Sequence, residues 1–589
     1  MKQLVFDIET DDLKATKIWC LCCIDVDTGQ EYKFPPDKLS EGYELLKSAD
    51  KLIGHNIIGF DVPVIEELAG ISLWDKALVD TLVLSRLFNP VREGNHGLEK
   101  WGYDLGSPKI DFEEYTYYSE DMLTYCMQDV RLNAKVFEAL KAESRGFSPK
   151  SVEIERETYK IISAQRRHGF LLNLPFASKL LGELETKMDE IVTQVHEKFL
   201  PREETRYLYP NTGKNGNLLK TATDNFGKNT RLTPEEFKEM ESLYSENGKN
   251  VKVPRVEVTE FNLGSRKQIG EYLIDFGWEP EVFTPTGQPQ VDEKILSKVK
   301  DIPEAALICD YLMYQKRVAQ VISWIDKCDD DNRVRAFVNS NGAITGRMTH
   351  SYPNLAQVPS SSAPYGKECR TCWTVPRGRK LVGIDASQLE LRMLAHYMND
   401  GEYTNEIING DIHTTNQKLA GLESRNQAKT FIYALLYGAG DAKIGQVVGG
   451  SKKDGARLKE RFFANQPSFK RLREKVTRTS AKGFIKGLDG RKIYIRNAHA
   501  SLNSLLQGGG SIVMKKALIL LDMNAKDEGL DYKFVANIHD EWQVEVKNEH
   551  AEEFGKIAVQ ALKDAGNYFN MNCPLDGEYK IGVDWSETH

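Results

Sequence analysis

The sequence predicts a multidomain α/β protein, and three observations lead to this fold class. The chain has 589 residues, more than one hydrophobic core usually supports, so we expect about two to four domains. Residues 1 to about 145 alternate apolar, strand-like runs with helical patterns. Residues 150–200 are strongly helical, and residues 321–589 form a large mixed region.

The composition favours a cytoplasmic protein without a membrane partner. Apolar residues make up 41% and charged residues 28% of the chain, which is typical of globular proteins. We find no apolar run near the roughly 18 residues of a membrane span and no signal-peptide pattern. The nine cysteines form no disulfide framework, and the CxxC of Cys369 and Cys372 lacks the second pair that a zinc site needs. The net charge of −8 argues against general nucleic-acid coating but leaves room for a local basic cleft.

Two carboxylates interrupt the first apolar run, LVFDIET. If Leu4 to Ile8 form a strand, Asp7 and Glu9 project from the same face. Burying both without a partner is costly, so we expect a cation between them. DxE pairs also occur at Asp111/Glu113, Asp400/Glu402 and Asp576/Glu578, so the pair of Asp7 and Glu9 is weak evidence by itself. It gains weight only from other acidic residues in the same part of the chain.

Further acidic residues follow within the first 130 positions. HNIIGFD places Asp61 after another apolar run, and YCMQD places Tyr125 and Asp129 four residues apart, on one face of a helix. Four carboxylates from three segments can converge on two divalent metals, which activate water and stabilise the leaving oxygen of a phosphodiester. Oxygen ligands favour Mg²⁺ or Mn²⁺ over zinc. The alternative is the acidic surface of an inactive scaffold.

A second group of motifs lies between residues 339 and 546. VGID reads as a short strand that ends at Asp385, and FVANIHDEWQVEV reads as a hairpin with Asp540 and Glu541 at its turn. Arg425 and Lys429 lie one helical turn apart, with Tyr433 four residues further on.

This second group suggests nucleotidyl transfer. Two aspartates on distant strands can meet over two metals, while a row of basic side chains neutralises a triphosphate. For the helical motif alone, an exposed basic stripe would be the simpler interpretation. Its position between the two aspartate motifs favours the catalytic one.

The first group of motifs resembles the 3′→5′ proofreading exonucleases of ribonuclease H-like fold. Their DxE, Nx3FD and Yx3D motifs appear here in order, the second as Asn56, Phe60 and Asp61. The resemblance implies that Tyr125 orients the attacking water and that four residues bind metals: Asp7, Glu9, Asp61 and Asp129.

The second group resembles motifs A, B and C of the family A DNA polymerases, relatives of bacterial DNA polymerase I. EFNLGSRKQIGEYL and TPTGQPQVDEKIL are similar to thumb and post-thumb segments of that family, and DASQLELR, NGDIHTTNQ and IKGLDGRK to the replicative polymerases of short-tailed bacteriophages. The implied fold is an exonuclease domain followed by a right-hand polymerase domain. The implied bounds are exonuclease 1–148, thumb region 149–320, palm 321–404 and 501–589, and fingers 405–500.

The resemblance also assigns roles in the polymerase site. Asp385, the Ala386 carbonyl and Asp540 would hold two Mg²⁺, with Mn²⁺ as a substitute, and Glu541 would lie close by. Glu390 matches the gate that excludes the ribose 2′-hydroxyl. His413, Arg425 and Lys429 would bind the triphosphate. Tyr433 would pack under the deoxyribose, and Tyr437 would lie near the templating base. The primer-template would contact Arg347, Gln507 and His539.

Residues 201–260 read as an insertion, with turn-rich stretches around an acidic helical patch, PEEFKEMESL. Its position matches a thumb insertion that recruits host thioredoxin in phage polymerases, so thioredoxin or another processivity factor is one expected partner. Contact between its basic loops and duplex DNA, or a solvated surface excursion, explains the same composition.

The main hypothesis is therefore a phage replicative DNA polymerase with proofreading, acting in the cytoplasm of the infected host. Its expected partners are primer-template DNA, dNTPs, a helicase-primase and a single-stranded DNA-binding protein. Two alternatives stay open at this point: a cellular repair polymerase of the same family, and a non-catalytic DNA-binding replication scaffold.

Overall fold

The computed structural model describes residues 2–248 and 250–589, and the chain folds into two compact units. The first unit combines Met1–Leu174 with Ser323–His589, and the second is Pro175–Ile322. Both groups of predicted site residues therefore lie in the first unit.

The N-terminal part of the first unit is a five-stranded sheet with helices around it. The strand order is β3-β2-β1-β4-β5, with β1, β2 and β3 antiparallel and β1, β4 and β5 parallel. The elements are β1 (Gln3–Thr10), β2 (Ile18–Asp25), β3 (Glu31–Phe34), α1 (Leu39–Lys47), β4 (Lys51–Gly54), α2 (Asp61–Ala69), β5 (Ala77–Asp80), α3 (Thr81–Phe88), α4 (Leu98–Asp104) and α5 (Glu120–Glu143).

Strand β1 is buried on both faces, which explains its nearly continuous apolar sequence. Leu4, Phe6 and Ile8 pack into one cluster, whereas Val5 packs with Met122 and Cys126 of α5 on the opposite face. Because side chains alternate along a strand, Asp7 and Glu9 share the face of Val5, toward α5. The predicted strand is confirmed and is longer at both ends.

Helix α6 (Pro149–His168) joins this part to the rest of the first unit and is followed by β6 (Phe170–Leu172). The Tyr159 hydroxyl donates to Asn56 Oδ1 at 2.7 Å, and the Ser163 hydroxyl donates to the Ile58 carbonyl at 2.9 Å. Ile154 on the same helix belongs to the large core of the C-terminal part. The first helix of the predicted thumb region thus packs inside the first unit.

The second unit contains α7 (Leu174–His196), β7 (Arg202–Thr212), β8 (Leu218–Asp224), β9 (Asn229–Arg231), α8 (Pro234–Asn247), β10 (Val253–Thr259), α9 (Arg266–Asp275), α10 (Glu293–Leu296) and α11 (Pro303–Ile325). The acidic helical patch forms α8, which begins with a capping box at Thr233 and Glu236. The four-stranded sheet of order β10-β7-β8-β9 is a structure that the sequence analysis missed. Its strands are joined by turn-rich stretches such as PNTGKNGN, and such turns favour an interpretation as loops.

The C-terminal part of the first unit is built around a four-stranded antiparallel sheet of order β18-β19-β15-β20. Its elements are β11 (Arg333–Val334), β12 (Phe337–Asn339), β13 (Thr349–Ser351), α12 (Gly366–Thr371), β14 (Trp373–Thr374), β15 (Arg379–Ala386), α13 (Leu389–Met398), α14 (Gly401–Asn409), α15 (Ile412–Ala420), α16 (Arg425–Leu436), α17 (Asp441–Val447), α18 (Lys452–Asn465), α19 (Pro467–Ser480), β16 (Phe484–Lys486), β17 (Lys492–Tyr494), α20 (Ser501–Asp527), β18 (Tyr532–Ile538), β19 (Glu541–Lys547), α21 (Ala551–Tyr568) and β20 (Gly577–Gly582).

Helix α20 is the central core helix of this part. The segment Ala498–Asp527 is long and apolar enough to cross a membrane by composition, but 83% of its apolar window is buried inside the protein. Such burial is typical of a core helix in a globular domain.

Candidate active sites

The first group of predicted residues meets at the face of β1 that α5 covers. Asp7 and Glu9 come from β1, and Tyr125 and Asp129 lie one turn apart on α5. Asp61 is the first residue of α2, and its Oδ1 accepts a hydrogen bond from the Ile8 backbone N–H at 3.2 Å. The strand-to-helix arrangement therefore brings four carboxylates from three segments together, as the sequence predicts.

The carboxylates of this cluster are difficult to ionise together. Burial, followed by repulsion from Asp61, Glu9 and Asp129, raises the pKa of Asp7 well above its ordinary value. Burial and the neighbouring Asp129 raise the pKa of Glu9 to about 8, and burial raises that of Asp61 to about 7. A concentrated negative charge of this kind is stabilised by a cation.

The donor set fits a hard divalent cation. One ligand atom each of Asp7, Glu9 and Cys126 lies within 4.8 Å of the others. The Cys126 thiol donates to the Asp7 carbonyl at 3.5 Å, so the carboxylate oxygens are the ligands on offer. Asp129 is 4% exposed, and its Oδ1 has no hydrogen-bond partner among the described residues. Buried carboxylate oxygens with open acceptor positions suit Mg²⁺ or Mn²⁺.

A lysine that the sequence analysis missed also reaches this cluster. Lys109 Nζ lies 2.5 Å from Asp129 Oδ2 and donates to the Tyr125 hydroxyl oxygen at 2.7 Å. Its charge lowers the pKa values of Asp7, Glu9 and Asp129, against the effect of burial. Lys109 lies in the irregular segment between α4 and α5, where no periodicity or motif marks it in the sequence.

The two aspartates of the second group come together at the end of the C-terminal sheet. Asp385 is at the end of β15, and Asp540 is in the turn between β18 and β19, where His539 has a φ of 57°. The Ala386 backbone N–H donates to the Asp540 carbonyl at 3.0 Å, which joins the two segments. Burial and repulsion from Asp540 raise the pKa of Asp385 to about 7, so this pair also suits a divalent cation.

Most of the remaining predicted residues line the same cavity as the two aspartates. Its volume is about 520 Å³, and its wall combines the C-terminal sheet with helices α13, α15 and α16. The predicted residues that line it are Arg347, Asp385, Ala386, Glu390, His413, Arg425, Lys429, Tyr433, Tyr437, His539 and Asp540.

Within the cavity, Glu390 connects two other predicted residues. The Tyr437 hydroxyl lies 2.9 and 3.0 Å from the two Glu390 carboxylate oxygens, and Arg347 Nη2 lies 3.1 Å from Glu390 Oε1. Burial and the neighbouring Glu390 raise the pKa of Tyr437 to about 12, so the phenol keeps its proton and donates.

The basic side of the cavity comes from two helices that face each other. His413 is on α15, and Arg425 and Lys429 lie one turn apart on α16. Asp411, the N-cap of α15, pairs with Arg425 Nε at 2.7 Å. Burial and the charges of Arg425 and Lys429 lower the pKa of His413, which favours the neutral imidazole.

Two predicted residues, Gln507 and Glu541, do not line the cavity. Gln507 is on α20, outside the lining of the cavity. Glu541 is opposite Asp385 in the sheet, but its carboxylate accepts hydrogen bonds from Trp585 and Gln543 and pairs with His589 Nδ1 at 3.0 Å. Burial opposes ionisation of Glu541, but His589 and the nearby Arg370 hold its pKa below its ordinary value. His589 lies far beyond the HDE motif, so no local pattern predicted this contact.

Comparison with known proteins identifies the family of this chain. Residues 234–587, more than half of the chain, match the family described as DNA polymerase family A. The fold is also similar to that of the "POL domain of Pol1 from M. smegmatis complex with DNA primer-template and dNTP", with a TM-score of 0.77, 18% identity, and coverage of 99% of this chain and 95% of that one. The chain belongs to DNA polymerase family A.

Within this family, two phage enzymes match the chain from end to end. The DNA-directed DNA polymerase of Enterobacteria phage T3 is 33% identical over 100% of both chains, and that of Escherichia phage T7 is also 33% identical over 100% of both. The chain is thus a family A DNA-directed DNA polymerase similar to the T3 and T7 phage enzymes, which confirms the polymerase part of the main hypothesis from the sequence.

Proposed function

We propose that this protein is a replicative phage DNA polymerase that extends primers at the cavity of Asp385 and Asp540 and corrects errors at the cluster of Asp7, Glu9, Asp61 and Asp129. The observation that carries the proposal is the presence of two separate carboxylate sites on one chain. Of these two sites, the cavity of Asp385 and Asp540 also carries Arg425 and Lys429, a basic wall suited to a triphosphate.

In the polymerase site, different side chains bind different parts of the substrates. Arg425 and Lys429 bind the triphosphate of the incoming dNTP, and His413 contributes a neutral hydrogen-bonding group. Glu390 blocks the space that a 2′-hydroxyl would need, and Tyr437 and Arg347 fix its carboxylate. Tyr433 packs near the sugar, while Arg347, Gln507 and His539 contact the primer-template.

Metal ions complete both sites in this proposal. Asp385, Asp540 and the Ala386 carbonyl would hold two Mg²⁺ or Mn²⁺ in one site, and the four carboxylates of the N-terminal cluster would hold two in the other. Bound there, the ions would activate the attacking oxygen and stabilise the leaving oxygen. Glu541 keeps the end of β19 in place beside Asp385 through its contacts with Trp585 and His589.

Because the N-terminal cluster is separate from the polymerase site, it can remove errors that the polymerase site makes. The region 1–148 is the exonuclease domain, of ribonuclease H-like fold, and its mixed five-stranded sheet supports this assignment. Tyr125 orients the attacking water there. Contacts in the minor groove test the shape of the base pair because correct pairs share its acceptors. A mispaired end is extended slowly and is therefore available for removal.

The proposed biological role is replication of phage DNA in the cytoplasm of the host. The full-length match to the T3 and T7 enzymes supports it over a cellular repair role. Primer-template DNA and dNTPs are the proposed substrates, and the similar POL domain of Pol1 is described in complex with both. A helicase-primase and a single-stranded DNA-binding protein are the further proposed partners.

The insertion at 201–260 is proposed as the binding site of thioredoxin or another processivity factor. Strands β7 and β10 expose several apolar side chains on the face opposite the small core of this sheet: Tyr207, Tyr209, Val256 and Val258. An exposed apolar sheet face supports protein binding better than contact with duplex DNA. Capture of the protein on immobilised thioredoxin, lost on deletion of 201–260, is the expected result.

Primer extension tests the function as a whole. With Mg²⁺ and dNTPs, a matched primer should be extended, and without dNTPs a mispaired 3′ end should be shortened. Both reactions should stop in excess EDTA and resume on addition of Mg²⁺. Retention of either reaction in EDTA would contradict the metal assignment of that site.

A further inference from the structure

Lys109 enters the exonuclease site from a segment that the proposed mechanism does not use. Its ammonium group contacts both Asp129 Oδ2 at 2.5 Å and the Tyr125 hydroxyl at 2.7 Å, and it lies 4.7 Å from the centre of the Tyr125 ring. Its side chain is 23% exposed, so Lys109 is half-buried at the edge of the cluster.

The same segment, residues 105–119, also holds the Tyr125 ring. Phe112 stacks on this ring at 5.3 Å with an interplanar angle of 27°, and Tyr115 meets it edge-on at 6.5 Å. The Tyr115 carbonyl accepts a hydrogen bond from Trp19 Nε1 at 2.9 Å, which attaches the segment to β2. Aromatic packing fixes the plane of the ring, and Lys109 fixes its hydroxyl.

The direction of the hydrogen bond follows from its donor. An ammonium group only donates, so the Tyr125 oxygen is the acceptor in its contact with Lys109. The phenol proton is therefore left for another acceptor. Burial raises the pKa of Tyr125, so this proton stays in place at neutral pH.

We propose that Lys109 is a positioning residue of the exonuclease reaction, which holds the Tyr125 hydroxyl so that its proton is donated to the attacking water. This inference rests on the exonuclease function proposed above. The alternative is that Lys109 only neutralises Asp129 and acts independently of the phenol. A double-mutant cycle distinguishes the two because it isolates the coupling between Lys109 and the Tyr125 hydroxyl.

The experiment compares the wild type, Lys109→Gln, Tyr125→Phe and the double variant in single-turnover shortening of a mispaired primer. We expect Lys109→Gln to slow shortening by about 10- to 100-fold, the range of one hydrogen bond with a charged donor. In the Tyr125→Phe background, the same substitution should cost less than about twofold, because the group through which Lys109 acts is already absent.

Two controls accompany this cycle. Extension of a matched primer by Lys109→Gln should equal that of the wild type, which shows that the variant folds. Lys135→Gln is the matched control, since Lys135 is on α5 and donates to Ser107 of the same segment without reaching the carboxylates. Its shortening rate should stay within about twofold of the wild type.

Three results would count against the inference. If Lys109→Gln shortened the primer at the wild-type rate, Lys109 would have no role in the reaction. If its cost were the same with and without the Tyr125 hydroxyl, Lys109 would act through Asp129 instead. A wild-type enzyme that leaves the mispaired end intact would refute the exonuclease function itself, and this inference with it.

Discussion

The two carboxylate sites of this polymerase differ in how the chain balances their charge. In the N-terminal site, four clustered carboxylates share the positive charge of Lys109, and Glu9 and Asp61 have pKa values raised to about 8 and 7. In the C-terminal site, two aspartates face a cavity whose other wall carries the cations Arg425 and Lys429. A water nucleophile brings little charge to the first site, whereas a triphosphate brings several negative charges to the second. The difference matches the substrates that we propose for each.

The largest expected effect comes from breaking the C-terminal site alone. Asp385→Asn keeps the shape of the side chain but removes one of two metal-binding charges. We expect primer extension to fall by about 10³-fold or more, since metal stabilisation of the transition state contributes several kcal/mol. Shortening of a mispaired end should stay at the wild-type rate. Extension at a normal rate by Asp385→Asn would disprove the assignment of this site.

The reciprocal change breaks the N-terminal site. Asp7→Ala combined with Glu9→Ala should reduce shortening by about 10²- to 10³-fold because two adjacent metal ligands are lost. Extension of a matched primer should not change, so each variant serves as the control for the other. Both rates can be measured on one labelled primer with and without dNTPs. Continued shortening by this variant would place the nuclease activity elsewhere.

A third change tests how the polymerase cavity selects the sugar of the nucleotide. Glu390→Ala removes the carboxylate that binds Tyr437 and Arg347. We expect discrimination against ribonucleotides, measured as the ratio of kcat/KM for dNTP and NTP, to fall by about 10- to 100-fold. Glu402→Ala, which changes an exposed acidic residue on α14, should leave this ratio unchanged. An unaltered ratio in Glu390→Ala would remove the sugar-gate role.

The smallest expected effect concerns stability and pH in the absence of metal. The folded pKa of Glu9 is about 8, above its ordinary 4.5, so folding favours the protonated form. This contribution is present below about pH 4.5 and is lost as the pH rises through 8. In EDTA, the melting temperature of the wild type should therefore fall between pH 5 and pH 9.

The glutamine side chain of the Glu9→Gln variant cannot ionise. The variant should therefore lose less stability than the wild type as the pH rises. At pH 9 its melting temperature should exceed that of the wild type by about 2 °C, with little difference at pH 5. Mg²⁺ should stabilise the wild type more than the variant. A wild type that becomes more stable with rising pH in EDTA would contradict the charge repulsion inferred for this cluster.

Much of both sites could be predicted from the sequence because their motifs are local. Asp7 and Glu9 share a strand face, Tyr125 and Asp129 a helix face, and Arg425 and Lys429 one turn of α16, so short-range periodicity fixed their relations. The resemblance to family A polymerases then gave the order of the motifs along the chain. The sheet of the 201–260 insertion was missed because turn-rich stretches separate its strands and most of their side chains are only partly buried.

The sequence by itself determined which carboxylates and cations are available, which elements carry them, and the family to which the chain belongs. Only the tertiary structure decided that Lys109 meets Asp129 and Tyr125, that Asp411 pairs with Arg425, and that His589 reaches Glu541. The physical reason is that these pairs join segments through space. Neither strand nor helix periodicity reports such contacts, and a buried charge acquires its partner only when the chain has folded.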